Sequence, residues 1–192
     1  MGKKALFAVG DSVSIHYGFY LKQMINDQFI YARKDGALMC DSRAVLNYLM
    51  QENSKGVRYD ISLVNCGLHD IRIDRHSGDI QVTGEEYEEN LKKIVDTLLQ
   101  MAKKVIWVNI TPVIDSLHNA RTKGYLRFSK DVIYYNEISE RVMTEQEIPI
   151  IDIFSFTKNL GEGIYIDHVH FKEEVRALQA AFISGYLLNC KT

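Results

Sequence analysis

Three short polar clusters hold the residue types that acyl transfer requires. Gly10-Asp11-Ser12 lies near the amino end, Gly67-Leu68-His69-Asp70 in the middle, and Ile166-Asp167-His168-Val169-His170-Phe171 near the carboxyl end. A serine hydroxyl is a poor nucleophile unless a base within ~2.6–3.2 Å takes its proton. The third cluster supplies such a base. A carboxylate three residues before a histidine can reach the imidazole Nδ1–H, fix the tautomer and leave Nε2 to accept a proton. Ser12 is therefore the candidate nucleophile, His170 the base and Asp167 the residue that orients it. Both signals also have a plain reading. Ser12 could be a helix N-cap, and Asp-x-x-His a solvated loop.

Whether the clusters meet depends on the elements between them. Residues 4–9 form a short, nearly unbroken apolar run, as expected of a strand covered on both faces. Further strands are expected at 29–32, 59–65, 105–110 and 148–153, and helices at 15–25, after Asp41-Ser42, after Thr83, at 130–143 and at 172–188. The helix after Thr83 carries the stripe Tyr87, Leu91, Ile94, Val95, Leu98, Leu99 and Ala102, which follows a 3.6-residue period. The last helix shows Val175, Leu178, Phe182 and Tyr186 on one face. Strands alternating with helices imply right-handed βαβ crossovers. The expected fold is an α/β three-layer α/β/α sandwich, with a five-stranded parallel sheet of flavodoxin-like order 2-1-3-4-5. Two insertions stand out: a small hairpin at 72–82 and a long connection at 111–129. In such a sheet, ligands bind beyond the carboxyl ends of the strands where the order reverses, between strands one and three. Gly10-Asp11-Ser12 and Gly67-Leu68-His69-Asp70 follow those two strands.

Gly10-Asp11-Ser12 after the first strand, paired with Asp167-x-x-His170 before the last helix, resembles the SGNH/GDSL hydrolase superfamily across the whole chain. The resemblance implies one domain over residues 1–192 and a serine ester hydrolase working through an acyl-enzyme, with no cofactor. Its implied substrate is a small-molecule ester, with an acetyl group on a carbohydrate or other metabolite preferred. Ser12, His170 and Asp167 carry over as nucleophile, base and orienting acid. Two blocks depart from the family pattern. Gly-x-Asn-Asp reads Gly67-Leu68-His69-Asp70 here, so His69 either replaces the Asn as oxyanion donor or packs the loop; a neutral imidazole has one N–H to give. The glycine expected after strand two is replaced by Cys40, with Gly36 as the fallback donor. The Ser12 amide completes the expected oxyanion hole. A thioesterase or lysophospholipase with the same triad, or a non-catalytic glycan- or metabolite-binding module on this fold, are the competing readings.

Composition narrows the rest. The 192 residues carry 23 Lys+Arg against 25 Asp+Glu, a formal charge of −2, so no global basic field exists to hold nucleic acid. Neither G-x-G-x-x-G nor G-x-x-x-x-G-K is present. The apolar run at residues 5–9 is far short of the ~20 residues of a membrane span. Three dispersed cysteines (Cys40, Cys66, Cys190) read as reduced thiols of a cytoplasmic protein. His168 beside His170 lacks further ligand spacing, so no metal is expected. His16, His76 and His118 read as surface or loop residues. Arg72, Arg75, Arg121, Lys123, Arg127 and Lys130 gather near the expected mouth, either as a solvated loop or as a lid favouring an anionic ester or sugar. Thr111, Tyr125 and Arg127 are the expected substrate-rim residues. The oligomeric state is left open.

Overall fold

The computed structural model describes residues 2–33 and 41–189. The expected backbone donor Cys40, its alternative Gly36, and Cys190 lie outside them. Among the described residues the strands are β1 (Lys4–Val9), β2 (Phe29–Arg33), β3 (Tyr59–Val64), β4 (Ile73–Asp74), β5 (Ala102–Val108), β6 (Tyr125–Leu126) and β7 (Ile150–Ile151). The helices are α1 (Ser12–Met24), α2 (Ser42–Ser54), α3 (Gly84–Met101), α4 (Asp115–Arg121), α5 (Ser129–Glu145), α6 (Ile153–Lys158) and α7 (Glu173–Asn189). Five strands pair in parallel in the order β2-β1-β3-β5-β7. This is the expected 2-1-3-4-5 order once the two-residue strands β4 and β6, which form a separate antiparallel ribbon, are set aside.

Right-handed crossovers that first step from β1 to β2 and then reverse must place α1 on the opposite face from α2, α3 and α5. The packing agrees: α1 lies against α7, and α2, α3 and α5 pack in series. The buried residues of β1 and β3 (Leu6 to Val9; Ile61, Leu63, Val64) form the middle of the core. Their register pairs Val9 with Val64, so the two strands end level. The following residues stay joined, with Asn65 N donating to Val9 O at 3.0 Å. No helix among the described residues is long and apolar enough to cross a membrane.

Several boundaries differ from the sequence reading, each for a local reason. Helix α1 begins at Ser12 rather than residue 15 because Asp11 accepts from the Val13 and Ser14 amides. The fourth main strand starts at Ala102, directly after Met101 of α3, without an intervening loop. The last strand shrinks from 148–153 to Ile150–Ile151, since Asp152 caps α6 by accepting from Ser155 N at 2.9 Å. Leu99 is half exposed although the rest of its stripe is buried. On α7 the buried set is Val175, Gln179, Ala180, Ile183, Ser184 and Leu187, whereas Leu178 and Phe182 face outward. Small residues allow close packing there, and Gln179 donates to Thr157 Oγ1 at 3.0 Å, so the buried face includes polar positions. The hairpin at 72–82 is present, with Ile73 bridged to Ile80, and β6 adds to it as a third strand.

One glycine constrains the loop after β3. Gly67 has φ +128°, and a Cβ there would sit 2.4 Å from Ile110 Cδ1 and 2.9 Å from the Tyr87 hydroxyl, which is itself bonded to Cys66 O. Left-handed strain costs ~1–3 kcal/mol. Gly67→Ala should therefore lower Tm by roughly 2–12 °C at this chain length, measured by circular dichroism. A change below ~2 °C would show that the loop relaxes without cost.

Candidate active site

The turn from β1 into α1 is tight. A Cβ on Gly10 would meet Ser14 Oγ at 2.6 Å and Asn65 O at 3.1 Å, so only glycine fits that approach. Arg33, at the end of β2, ties the turn down: one Nη donates to Gly10 O (2.6 Å), Ser14 Oγ (2.9 Å) and Asp11 O (3.3 Å). Asp11 is buried and serves as the cap, accepting from Val13 N and Ser14 N. Burial raises its carboxyl pKa, against the pull of those amides and of Arg127 and Arg33. Because Asp11 caps α1, Ser12 does not. Its hydroxyl is left for another partner, and its amide bonds to nothing among the described residues.

The partner arrives from the other end of the chain. Tyr165 bridges Phe171, Ile166 N donates to His170 O at 2.9 Å, and Lys172 N donates to Ile164 O at 2.8 Å, closing a narrow loop. Val169 and Phe171 are buried and anchor it. Asp167 Oδ1 accepts from Val169 N (2.8 Å) and His170 N (2.7 Å), while Oδ2 lies 2.7 Å from His170 Nδ1. Burial pushes the Asp167 carboxyl pKa up, but these hydrogen bonds outweigh it and bring it to about 2. An ionised Asp167 accepts from Nδ1–H, which makes Nε2 the acceptor. Ser12 Oγ is 2.8 Å from that Nε2. The geometry lets the serine proton pass to the imidazole while the carboxylate steadies the ring.

The loop after β3 lies beside this line. His69 is partly buried, and its Nδ1 is buried without a partner among the described residues. Burial, then Arg72 and Arg127, lower its pKa to about 3 against the opposing charge of Asp41. Its ring is therefore neutral, with a single N–H. Asp70 does something different: both its oxygens accept from Ser42 N, at 2.9 and 3.1 Å, joining this loop to the start of α2. Asp41, the cap of α2, accepts from Ala44 N and from Gln81 Nε2.

The expected rim is rearranged. Thr111 and Arg127 are buried, and only Tyr125 is partly exposed. Arg72 and Arg127 both place their guanidinium over the Tyr125 ring, at 4.4 and 5.0 Å. Arg75 donates to the carbonyls of Asn119 and Thr122, so it fastens the long connection. His76 is exposed as expected and His16 is partly exposed, but His118 is not a surface residue. His118 is fully buried, with Nδ1 3.2 Å from both the carbonyl oxygen and Nδ1 of His168. The His16 ring lies 4.7 Å from that of His170, and burial and Arg176 lower its pKa to about 4. The four-residue step from Ser12 to His16 on one helix was a signal that could have placed it here. Nothing local marked the burial of His118 or Arg127, which reach His168 and Leu68 far along the chain. Cys66 is buried and free, and burial raises its thiol pKa well above the ordinary value. Among the described residues no group of three or more candidate ligands could hold a metal ion.

No protein-family model matches the sequence, and no curated protein matches it. The fold, however, recurs in solved structures. A member of the lipolytic protein G-D-S-L family from Veillonella parvula superposes with a TM-score of 0.73 at 16% identity, over 97% of this chain and 99% of that one. A lipase/acylhydrolase from Enterococcus faecalis gives 0.72 at 17% identity, over 96% and 95%. An acetylxylan esterase from Geobacillus stearothermophilus gives 0.73 at 15% identity, over 95% and 93%. At these identities the likeness is one of fold.

The Asp70 link gives a stability signature. Burial raises its carboxyl pKa to about 6, although the Ser42 hydroxyl and amide oppose this. Folding thus favours the protonated acid. That contribution is complete below the unfolded value of ~4 and is lost as pH rises through about 6. Compared with Asp70→Asn, the wild type should lose about 2 kcal/mol of urea-unfolding stability between pH 4 and pH 7. A pH-independent difference would mean that Asp70 titrates normally.

Proposed function

We propose that this chain is a serine ester hydrolase of the SGNH/GDSL type that works through an acyl-enzyme. One observation carries the reading. Ser12 Oγ, His170 Nε2, His170 Nδ1 and Asp167 Oδ2 form an unbroken hydrogen-bonded line with steps of 2.8 and 2.7 Å. Ser12 Oγ attacks the ester carbonyl as Nε2 takes its proton. The carbon–alcohol bond then breaks, and the same proton leaves with the alcohol. Water next attacks the acyl-serine, again giving its proton to Nε2. Ser12 recovers that proton as the carboxylic acid departs. Asp167 remains ionised throughout and holds the imidazolium.

The developing oxyanion is held by the Ser12 amide, which has no partner among the described residues, and by the neutral His69 ring, which stands where the family pattern has Asn. The backbone donor expected at Cys40 belongs to the same proposal. The preferred substrate is a small ester, acetyl on a carbohydrate or similar metabolite. Support for that class comes from fold neighbours described as an acetylxylan esterase and as a carbohydrate acetylesterase from Sinorhizobium meliloti. A cytoplasmic setting goes with this reading, supported by the free buried thiol of Cys66.

Wild-type protein should hydrolyse p-nitrophenyl acetate and take up one fluorophosphonate label, at Ser12, and Ser12→Ala should abolish both. Labelling elsewhere, or turnover that survives Ser12→Ala, would sink the reading. Asp167→Asn should lower kcat by about 10⁴ with the fold intact, because the imidazole adopts the wrong tautomer. A loss under tenfold would remove Asp167 from the mechanism.

A further inference from the structure

Arg127 is a cation buried beneath the candidate site, and no carboxylate among the described residues lies within ion-pair distance of it. Burying a guanidinium with no ion pair in contact costs several kcal/mol, even with the charge of Asp11 acting on it from farther off, which asks what the residue does there. Its side chain is tightly placed. Nε donates to Leu68 O at 2.5 Å, the carbonyl that immediately precedes His69. The guanidinium lies against the Tyr125 ring, with Arg72 also on that ring. Its backbone is clamped twice by Asn119, which donates from Nδ2 to Arg127 O and accepts from Arg127 N, both at 3.0 Å. Asn119 belongs to α4, whose end is fastened by Arg75. The Leu68 carbonyl is thus held by a donor whose own backbone is clamped, and Gly67 before it sits so close to Ile110 and Tyr87 that a Cβ would not fit.

We propose that Arg127 is a positioning residue for the oxyanion-binding loop: by holding Leu68 O it fixes the direction in which the His69 ring presents its N–H. The inference rests on the ester-hydrolase reading and on His69 as donor. It assigns a role to the long connection between β5 and α5, which carries Arg127 to the underside of a loop contributed by β3. The charge of Arg127 also works with burial and with Arg72 to keep His69 neutral, opposed by Asp41 and added to by His170. A donor displaced by ~1 Å can cost as much as 10² in rate.

The test is a double-mutant cycle on p-nitrophenyl acetate. Arg127→Gln should lower kcat about 10- to 100-fold with KM within about twofold, because the loop touches the transition state more than the ground state. Arg127→Lys keeps the charge but lacks the fixed Nε–H, so its kcat should stay within about threefold of the Gln variant. His69→Ala should cost about 10²–10³. Adding Arg127→Gln to His69→Ala should cost less than about threefold more, since the first residue acts through the second. Additive losses, a loss confined to KM, or an unchanged kcat in Arg127→Gln would each overturn the proposal. Should the Arg127 variants fail to fold, Asn119→Ala loosens the same clamp from a half-buried position; it should lower kcat several-fold in wild type and not in His69→Ala. Fluorophosphonate labelling of wild type separates the two layers. An unlabelled wild type sinks the hydrolase reading itself, whereas a labelled wild type with additive losses sinks only the role of Arg127.

Discussion

The contact between Ser12 Oγ and His170 Nε2 joins residues 158 apart in sequence, and most of the architecture can be understood as what holds it at 2.8 Å. A hydroxyl–imidazole hydrogen bond of this kind contributes only about 1 kcal/mol by itself. It cannot organise the fold, so the fold must organise it. On one side, Asp11 caps α1 and Arg33 grips the carbonyls of the preceding turn. On the other, the loop 164–172 is closed by its own backbone bonds and anchored by Val169 and Phe171. The level ends of β1 and β3 then set the loop bearing His69 beside both.

The electrostatics of the surroundings follow a single pattern. Four imidazoles lie close by (His16, His69, His118 and His168), and burial is the first cause lowering the pKa of each. Arginine charge adds to it in every case, from Arg176 at His16 and from Arg72 and Arg127 at the other three. These rings supply donors, acceptors and packing surface without adding formal charge next to the Asp167–His170 pair. The cations that enforce this are structural as well. Arg127 supports a backbone carbonyl, and Arg176 donates through Nε to Phe171 O, the residue after His170.

What the sequence made legible divides by range. Strand order was readable because each main strand is an apolar run between helices, and because reversal of direction is a topological matter rather than a side-chain one. That Ser12, Asp167 and His170 could meet was readable because Asp167 and His170 lie within one turn, and Ser12 and His170 at the ends of such elements. Misreadings arose where tertiary contacts overrode periodicity. The buried face of α7 contains Gln179, Ala180 and Ser184 because Gln179 finds Thr157 and the small residues permit close approach, while the more hydrophobic Leu178 and Phe182 stay outside. Phe182 instead stacks on Phe156 of α6 at 4.4 Å. Arg127 was expected at the rim because it is charged and lies in a long loop. Its burial depends on Leu68 and Asn119, neither of which a local pattern could reveal.

The packing of α1 against α7 has a consequence of its own. Ser12 opens the first of these helices, and His170 sits three residues before the second. Proteins open locally in cooperative pieces well before they unfold as a whole, and a helix packed on the outside of a sheet is a natural piece. If α7 peels from the sheet, the imidazole withdraws from the hydroxyl while the parallel strands remain paired. On the proposed ester-hydrolase reading, mild heat or denaturant would then abolish turnover ahead of the secondary structure, making activity a reporter of how α7 is docked.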